Sequence, residues 1–449
     1  MRLFILFFCH IMSSKTALII GSVWPEPRSS AAGQHILSLI RLLQEIGLEC
    51  VFTSAANNIE QSEGLAELGI TTRQTWLNDS RFDELVDSLQ PAVVLFDRFM
   101  TEEQFSWRVR RVCPDALLCL DSEDLHCLRY TRHTIIKSQL QQPLDINALI
   151  KLNQQPGTFQ GCLNSPEAQR EIAAILRCDL TFIISRAELA LLRDYYCIPE
   201  HILCYCPFLL SPSSPCVDDF ASRRDFVFLG NYRHAPNWDA VQVLAQHIWP
   251  LIRAQLPHAQ CHIYGAYTPD KAQQYHQPQR GIYVKGWACN AMQTLSKARV
   301  HLAPLRFGAG LKGKVFSAMQ CGTPTVTTDI GSEGIDDMPE AQVVPGPLHV
   351  ESFAEKAIAL YRNQALWTKC NQHNQAILQT QFNMCEHHAR ITTQITSTLA
   401  HLTEHRATLF YRHMLESTAH RATQFMSQWI EAKQTIAELR ESSPRPETD

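Results

Sequence analysis

The chain has 449 residues, 45% of them hydrophobic and 19% charged, with a net charge of −4. That length is too great for one ordinary core and suits two domains of roughly 200 residues plus a tail. The composition is that of a soluble globular protein, and the faintly acidic balance leaves no electrostatic footprint for nucleic acid, so no nucleic-acid partner is expected.

The first segment, MRLFILFFCHIM, sets Arg2 before an apolar run but has no small-residue cleavage site. Residues 1–14 therefore read as an N-terminal extension with Met12 as a second start. A weak segment touching the inner face of a membrane is the alternative, which would make the protein peripheral there; no other run approaches spanning length. Sixteen cysteines are scattered singly and form no CxxC pair, and Cys204 and Cys206 are spaced to face one side of a strand. Reduced structural thiols in a cytoplasmic protein follow, with no metal site.

Two segments then open alike. Thr16 to Gly21 is a short apolar run ending in glycine, followed by a polar loop and an amphipathic helix from about Ala32 to Ile46. Asp225 to Gly230 repeats this, with a helix from about Pro236 to Ala254. Each is the first βα unit of a parallel, doubly wound sheet whose strand ends point at a crevice. Cys50 to Ser54, Val93 to Asp97, Leu117 to Asp121 and Leu180 to Ser185 follow the first opening as continuous apolar runs, the mark of strands covered on both faces.

After the second come His262 to Gly265, Ile282 to Gly286, Val300 to Ala303, Thr325 to Thr328 and Gln342 to Val344. The Pro/Ser-rich stretch 211–219 marks the join. The predicted units are therefore an acceptor-side domain over 15–215, a donor-side domain over 216–398 and a helical tail over 399–449 with a mobile polar end. Residues from about Thr131 to Gln160 read as a helical excursion. In the tail, Leu409, Phe410, Met414, Phe425 and Trp429 read as core or interdomain packing.

The stretch from Arg299 to Ile335 carries the most chemistry. A buried strand runs into a turn holding Arg306, Gly308, Gly310, Lys312 and Lys314, then into a helix from about Lys314 to Gln320 and a second strand. Glycines that let backbone N–H groups approach a ligand, followed by a helix N-terminus and cations, suit a polyanion such as a diphosphate. The loop after Gly230, from Asn231 to Asp239, lies at a strand's carboxyl end and should converge on the same crevice. In the other half, Asp121, Ser122, Glu123, Asp124, Leu125 and His126 follow a buried strand, and the loop from Trp24 to Gly33 precedes the first helix. Gly33 there either helps hold a phosphate or only shapes the turn. His126 is either a chemical group or a structural residue capping the next helix.

The segments FLGNYRHAPNWDAV and APLRFGAGLKGKVFSAMQCGTPTVTTDIGSEGI resemble the donor domain of family 4 glycosyltransferases of the GT-B fold. The first domain is similar in layout, through TALIIGSVWPEPRSSAAGQ and LLCLDSEDLHCLR. The resemblance implies two Rossmann-like domains facing across a cleft, with a C-terminal helix crossing back to the first. It implies transfer of a hexose from a nucleoside diphosphate sugar, with retention, to a glycan, lipid or protein acceptor, in carbohydrate biosynthesis and with no metal or other cofactor. Lys312 and Lys314, with Arg306 before them, would meet the diphosphate, and Glu333 would help place the donor. Asp124 and His126 would be the catalytic groups on the acceptor side.

Two departures stand out. The family's paired glutamates fall on Ala309 and Ser317, which removes the carboxylate contact to the nucleotide ribose, and its Arg and Lys after the first donor-domain strand fall on Asn231 and Asn237. A sugar-nucleotide epimerase or hydrolase, or a non-catalytic sugar-nucleotide-binding scaffold, is the alternative these departures keep open.

Overall fold

The computed structural model describes residues 16–27, 31–57, 63–66, 68–138, 142–209 and 220–442. The expected N-terminal extension, the 211–219 linker and the extreme C-terminus lie outside the described residues.

Seven strands build the first sheet: β1 (Thr16–Gly21), β2 (Glu49–Ser54), β3 (Thr71–Gln74), β4 (Val93–Asp97), β5 (Leu117–Asp121), β6 (Leu180–Ile183) and β7 (Leu203–Tyr205). All pairs are parallel, in the order β3-β2-β1-β4-β5-β6-β7. The second sheet contains β8 (Arg224–Leu229), β9 (Cys261–Tyr264), β10 (Ile282–Gly286), β11 (Ala298–Ala303), β12 (Thr325–Thr328) and β13 (Val343–Val344). It too is parallel, in the order β10-β9-β8-β11-β12-β13. Each order reverses at one point, between β1 and β4 and between β8 and β11, and the crevice opens there at the strands' carboxyl ends.

Alternation along the strands explains why both sheets sit inside the molecule. Leu18, Ile20, Val94, Phe96, Leu118 and Leu120 enter one core, while Ala17, Ile19, Val93, Leu95, Leu117 and Cys119 enter another on the opposite face. A period of two with apolar residues on both faces requires helices on both sides. The helices that position the site are α1 (Ala31–Glu45), α2 (Phe99–Val112), α3 (His126–Lys137), α4 (Pro166–Arg177), α5 (Ala235–Val243) and α6 (Gly313–Gln320).

Two more, α7 (Met384–Ala400) and α8 (Phe410–Ser442), follow the second sheet. Ile391 and Ile395 of α7 lie in the first sheet's core, and Arg390 and Gln394 donate to the carbonyls of Tyr205 and Leu203. The chain therefore crosses back to the first domain, as the resemblance implies, and does so from Met384, inside the segment assigned to the donor side.

Several expectations need correction. The helix predicted over 236–254 is continuous as expected, but its pitch changes at a π-turn over Leu244–Ile248 between α5 and a short helix over Trp249–Gln255. Pro250 has no N–H for the helical ladder, which accounts for the change of pitch. Strand β3 escaped notice because it is a polar edge of four residues with no fully buried position. In the tail, Leu409 is buried, but Phe410, Met414, Phe425 and Trp429 are exposed and do not pack as core. Among described residues every cysteine is a free thiol, and Cys204 and Cys206 share one core face. No helix among the described residues is long and apolar enough to cross a membrane.

Candidate functional site

The two crevices face each other. An apolar plug of Ile184 and Phe208 from the first domain with Leu311, Val315, Phe316 and Met319 from the second presses the Arg306–Lys314 turn against the first sheet. Gly310 sits at φ +65°, and a Cβ there would lie 2.8 Å from the Asp124 Cβ. Glycine is needed at that point both for its left-handed backbone and for the close approach. Ala309 packs into the first domain's core, where a charged side chain would carry a desolvation cost.

First-domain side chains clamp this turn. The N–H of Gly310 donates to Glu188 Oε1 at 2.7 Å, and the same oxygen accepts the Leu125 N–H at 3.0 Å. Burial, then the Asp124 charge, pushes the Glu188 carboxyl well above the usual carboxylate range. Arg132 donates to the Gly308 carbonyl at 2.7 Å and forks onto Glu333 at 2.7 and 2.5 Å. Burial would raise Glu333, but the charge and hydrogen bonds of Arg132, together with the Lys312 charge, outweigh it and keep the carboxylate ionised. Neither Arg132 nor Glu188 stood out in the sequence: Arg132 lies on α3 beyond His126 and Glu188 just after β6, and each finds its partner only in the other domain.

The expected cations have different fates. Arg306 forms a bidentate pair with Asp239 and is committed there. Lys312 turns inward and donates to the carbonyls of Ala309 at 3.0 Å and Gly310 at 2.5 Å, and burial lowers its pKa. Lys314 reaches the loop after β8: it bonds Asn237 Oδ1, and a Cβ on Gly230 would lie 2.9 Å from its Nζ. Burial, then the Lys312 charge, brings Lys314 down to about 7.

Asn231 braces that loop, its side-chain oxygen accepting the Arg233 N–H at 2.9 Å and its carbonyl accepting Asn237 at 2.8 Å. Gly308 and Gly310 carry the positive φ of the turn. Gly33 is buried in α1, where a Cβ would lie 2.6 Å from the Glu26 backbone, so close packing requires glycine there.

On the first-domain side, His126 opens α3 with Nε2 3.5 Å from Asp124 Oδ1, and its ring edge meets Phe99. It does not cap the helix. That is done by Glu171, which accepts the N–H groups of His126 at 2.9 Å and Cys127 at 2.8 Å. Burial lowers His126 to about 4, leaving a neutral imidazole at pH 7. Burial would raise Asp124, but Arg129, 2.8 Å away, and His126 hold it low. His234, from the loop after β8, faces Arg129 and Asp124 from the other side, and burial lowers it as well.

Behind these groups, Asp97, Asp121 and Glu123 bring carboxylate oxygens within 4.8 Å of one another, a set that could hold a cation. Part of their charge is already answered: Ser22 donates to Asp97 through N–H and hydroxyl, and Arg98 lies 3.7 Å from Asp97. Arg98 has φ +71°, which turns its guanidinium back to the Ser22 hydroxyl at 2.7 Å. The fully buried His35 lies 3.4 Å from Asp121; burial would lower its pKa, but Asp121 together with the charges of Glu123 and Asp97 outweighs that and raises it.

Two parallel sheets facing across a cleft, with a helix returning from the second to the first, decide the architecture. The fold is GT-B. A glycosyltransferase from Rickettsia africae ESF-5 shares it at a TM-score of 0.58 and 11% identity, over 87% of this chain and 99% of that one. Anabaena HepE, solved in complex with UDP, does so at a TM-score of 0.56 and 14% identity, over 85% and 100%. S. aureus TarM, solved with UDP among its ligands, aligns at a TM-score of 0.52 and 11% identity over 70% of this chain, which spans 57% of that protein's length. At such identities the likeness is one of fold.

Residues 223–363 match the family described as Glycosyl transferases group 1. A search of curated protein sequences returned no match. The matched segment contains both the loop after β8 and the clamped turn of the GT-B cleft.

Proposed function

We propose that the chain is a glycosyltransferase that moves a hexose from a nucleoside diphosphate sugar to a glycan, lipid or protein acceptor, with retention, as a family 4-type enzyme of carbohydrate biosynthesis. One juxtaposition carries this reading: the turn bearing Lys312 and Lys314, within the segment matched to group 1 glycosyltransferases, lies against Asp124, two residues from His126. HepE and TarM, both solved with UDP, support a nucleoside diphosphate in a cleft of this architecture.

In this reading the diphosphate rests beside Lys314 and the loop from Gly230 to Asn231, while Lys312, Arg132 and Glu333 fix the turn beneath it. The leaving group gathers negative charge as the glycosidic bond breaks, and a cation already in place lowers that barrier. Arg306, paired with Asp239, shapes the wall of the site. The acceptor hydroxyl attacks from the face the diphosphate leaves, so no protein nucleophile is needed, and the departing phosphate takes the hydroxyl proton. Neutral His126 holds the reacting sugar by hydrogen bond, with Asp124 orienting it. Side-chain cations serve where a metal would otherwise be required. The free thiols fit a reducing compartment, and we place the activity in the cytoplasm.

A protein that binds sugar nucleotides without turning them over is the second reading, favoured by Ser317 where the resemblance expects glutamate. Product analysis across a donor panel separates these. Nucleoside diphosphate released only with acceptor supports transfer, and release without acceptor indicates a hydrolase. No turnover of any donor by the wild type would overturn the enzymatic reading.

A further inference from the structure

The helix α8 is inverted relative to an ordinary surface helix. Its polar side is the docked one: Glu416 receives Arg110 Nε at 2.9 Å, and Glu431 receives the Ser80 N–H at 2.7 Å and Arg108 at 3.2 Å. Arg412 pairs with the fully buried Asp179. Its apolar side points to solvent, where Phe410, Tyr411, Phe425, Met426, Trp429 and Ile436 are 50–72% exposed. At roughly 200 Å² per large side chain these six present on the order of 700 Å², more than the roughly 300–600 Å² of the largest patch on a typical monomer.

The spacing identifies the kind of partner. From Phe425 the positions step four, three, four and three residues to Trp429, Ala432, Ile436 and Leu439. Steps of four and three residues keep these side chains in one row along the helix, where a second helix can seat against them. A helix lying on lipid would instead show an excess of Lys and Arg on its polar side. Along 410–442 the cations and carboxylates are equal in number, and the polar side is already engaged by ion pairs to α2 and Asp179.

Area selects a second copy. Pairing two such stripes removes roughly 1,400 Å² from water, within the roughly 1,200–2,000 Å² of stable interfaces, and two-fold dimers are the commonest homo-oligomers. We propose that α8 joins two copies of this chain, their apolar stripes packed as a two-helix coiled coil about a two-fold axis. This is independent of the activity proposed above.

Sedimentation velocity on the full chain from about 1 to 50 μM tests it. The wild type should run as a dimer, and the Phe425→Glu, Trp429→Glu double variant as a monomer with an unchanged circular dichroism spectrum. Ile436→Lys alone should shift the equilibrium the same way. A double variant that stays dimeric overturns the proposal. A monomeric wild type also overturns it: co-sedimentation with anionic phosphatidylglycerol vesicles would then assign the stripe to lipid. Dimerisation only after removal of residues 2–14 would assign it to the chain's own apolar N-terminus.

Discussion

The two sheets share one backbone plan, yet their strand ends carry opposite chemistry. At the mouth of the first, Asp97, Asp121, Glu123 and Asp124 gather around β4 and β5; at the mouth of the second, Arg306, Lys312 and Lys314 gather after β11. Doubly wound sheets dictate where the crevices lie but not what lines them, so the halves are told apart only by their loops. A cationic half suits a diphosphate leaving group, and a half rich in carboxylate and imidazole suits a hydroxylic acceptor. Arg132 and Glu188 cross between them, and both act on the Gly308 to Gly310 backbone.

The largest expected effect comes from cutting that crossing. Arg132 is 1% exposed and its partner Glu333 8%, so Arg132→Met leaves a buried carboxylate without its hydrogen-bonded partner and should cost about 3–5 kcal/mol in urea unfolding. Adding Glu333→Leu should restore most of it, because removing both charges removes the penalty; no recovery would show that the pair is not what joins the halves there.

Next, His126→Ala should lower turnover on the order of 100-fold with a much smaller loss of donor affinity, as expected of a hydrogen bond to the reacting sugar that tightens in the transition state. Weakened donor binding with intact turnover would erase the distinction between the halves. Lys314→Ala should reverse that signature, costing on the order of 100-fold through the donor.

A smaller effect is the pH dependence of donor binding. With Lys314 near 7 in the free protein, it loses its proton as pH rises through neutrality, and a bound diphosphate holds the proton on. Affinity should fall about tenfold from pH 6 to pH 8, with proton uptake on binding at the higher pH. Lys314→Gln should show neither the slope nor the uptake.

Much of this was legible in the sequence, for a physical reason. Continuous apolar runs such as Val93–Asp97 and Leu117–Asp121 fall on β4 and β5 at the same bounds, because a strand covered on both faces is apolar along its length and turns polar only at its carboxyl end, where Asp97 and Asp121 stand. The turn from Arg306 to Lys314 was legible because its glycines and cations are neighbours in the chain. Arg132, Glu188, His35 and Arg98 were not, since each acquires its partner only when remote strand ends meet. The commitment of Arg306 to Asp239, 67 residues away, was hidden for the same reason. The tail misled because an apolar stripe at helical spacing reads as core, and only the ion pairs on its other side reveal which face is docked.

We propose above all that the second domain's turn receives a diphosphate. Calorimetric titration of the full chain with a panel of nucleoside diphosphates tests it most directly, run beside the Lys312→Ala, Lys314→Ala double variant. One diphosphate should bind the wild type with proton uptake at pH 8, and its affinity should fall by 100-fold or more in the variant. Equal affinity in both proteins, or no heat from any nucleotide with the wild type, would contradict the account.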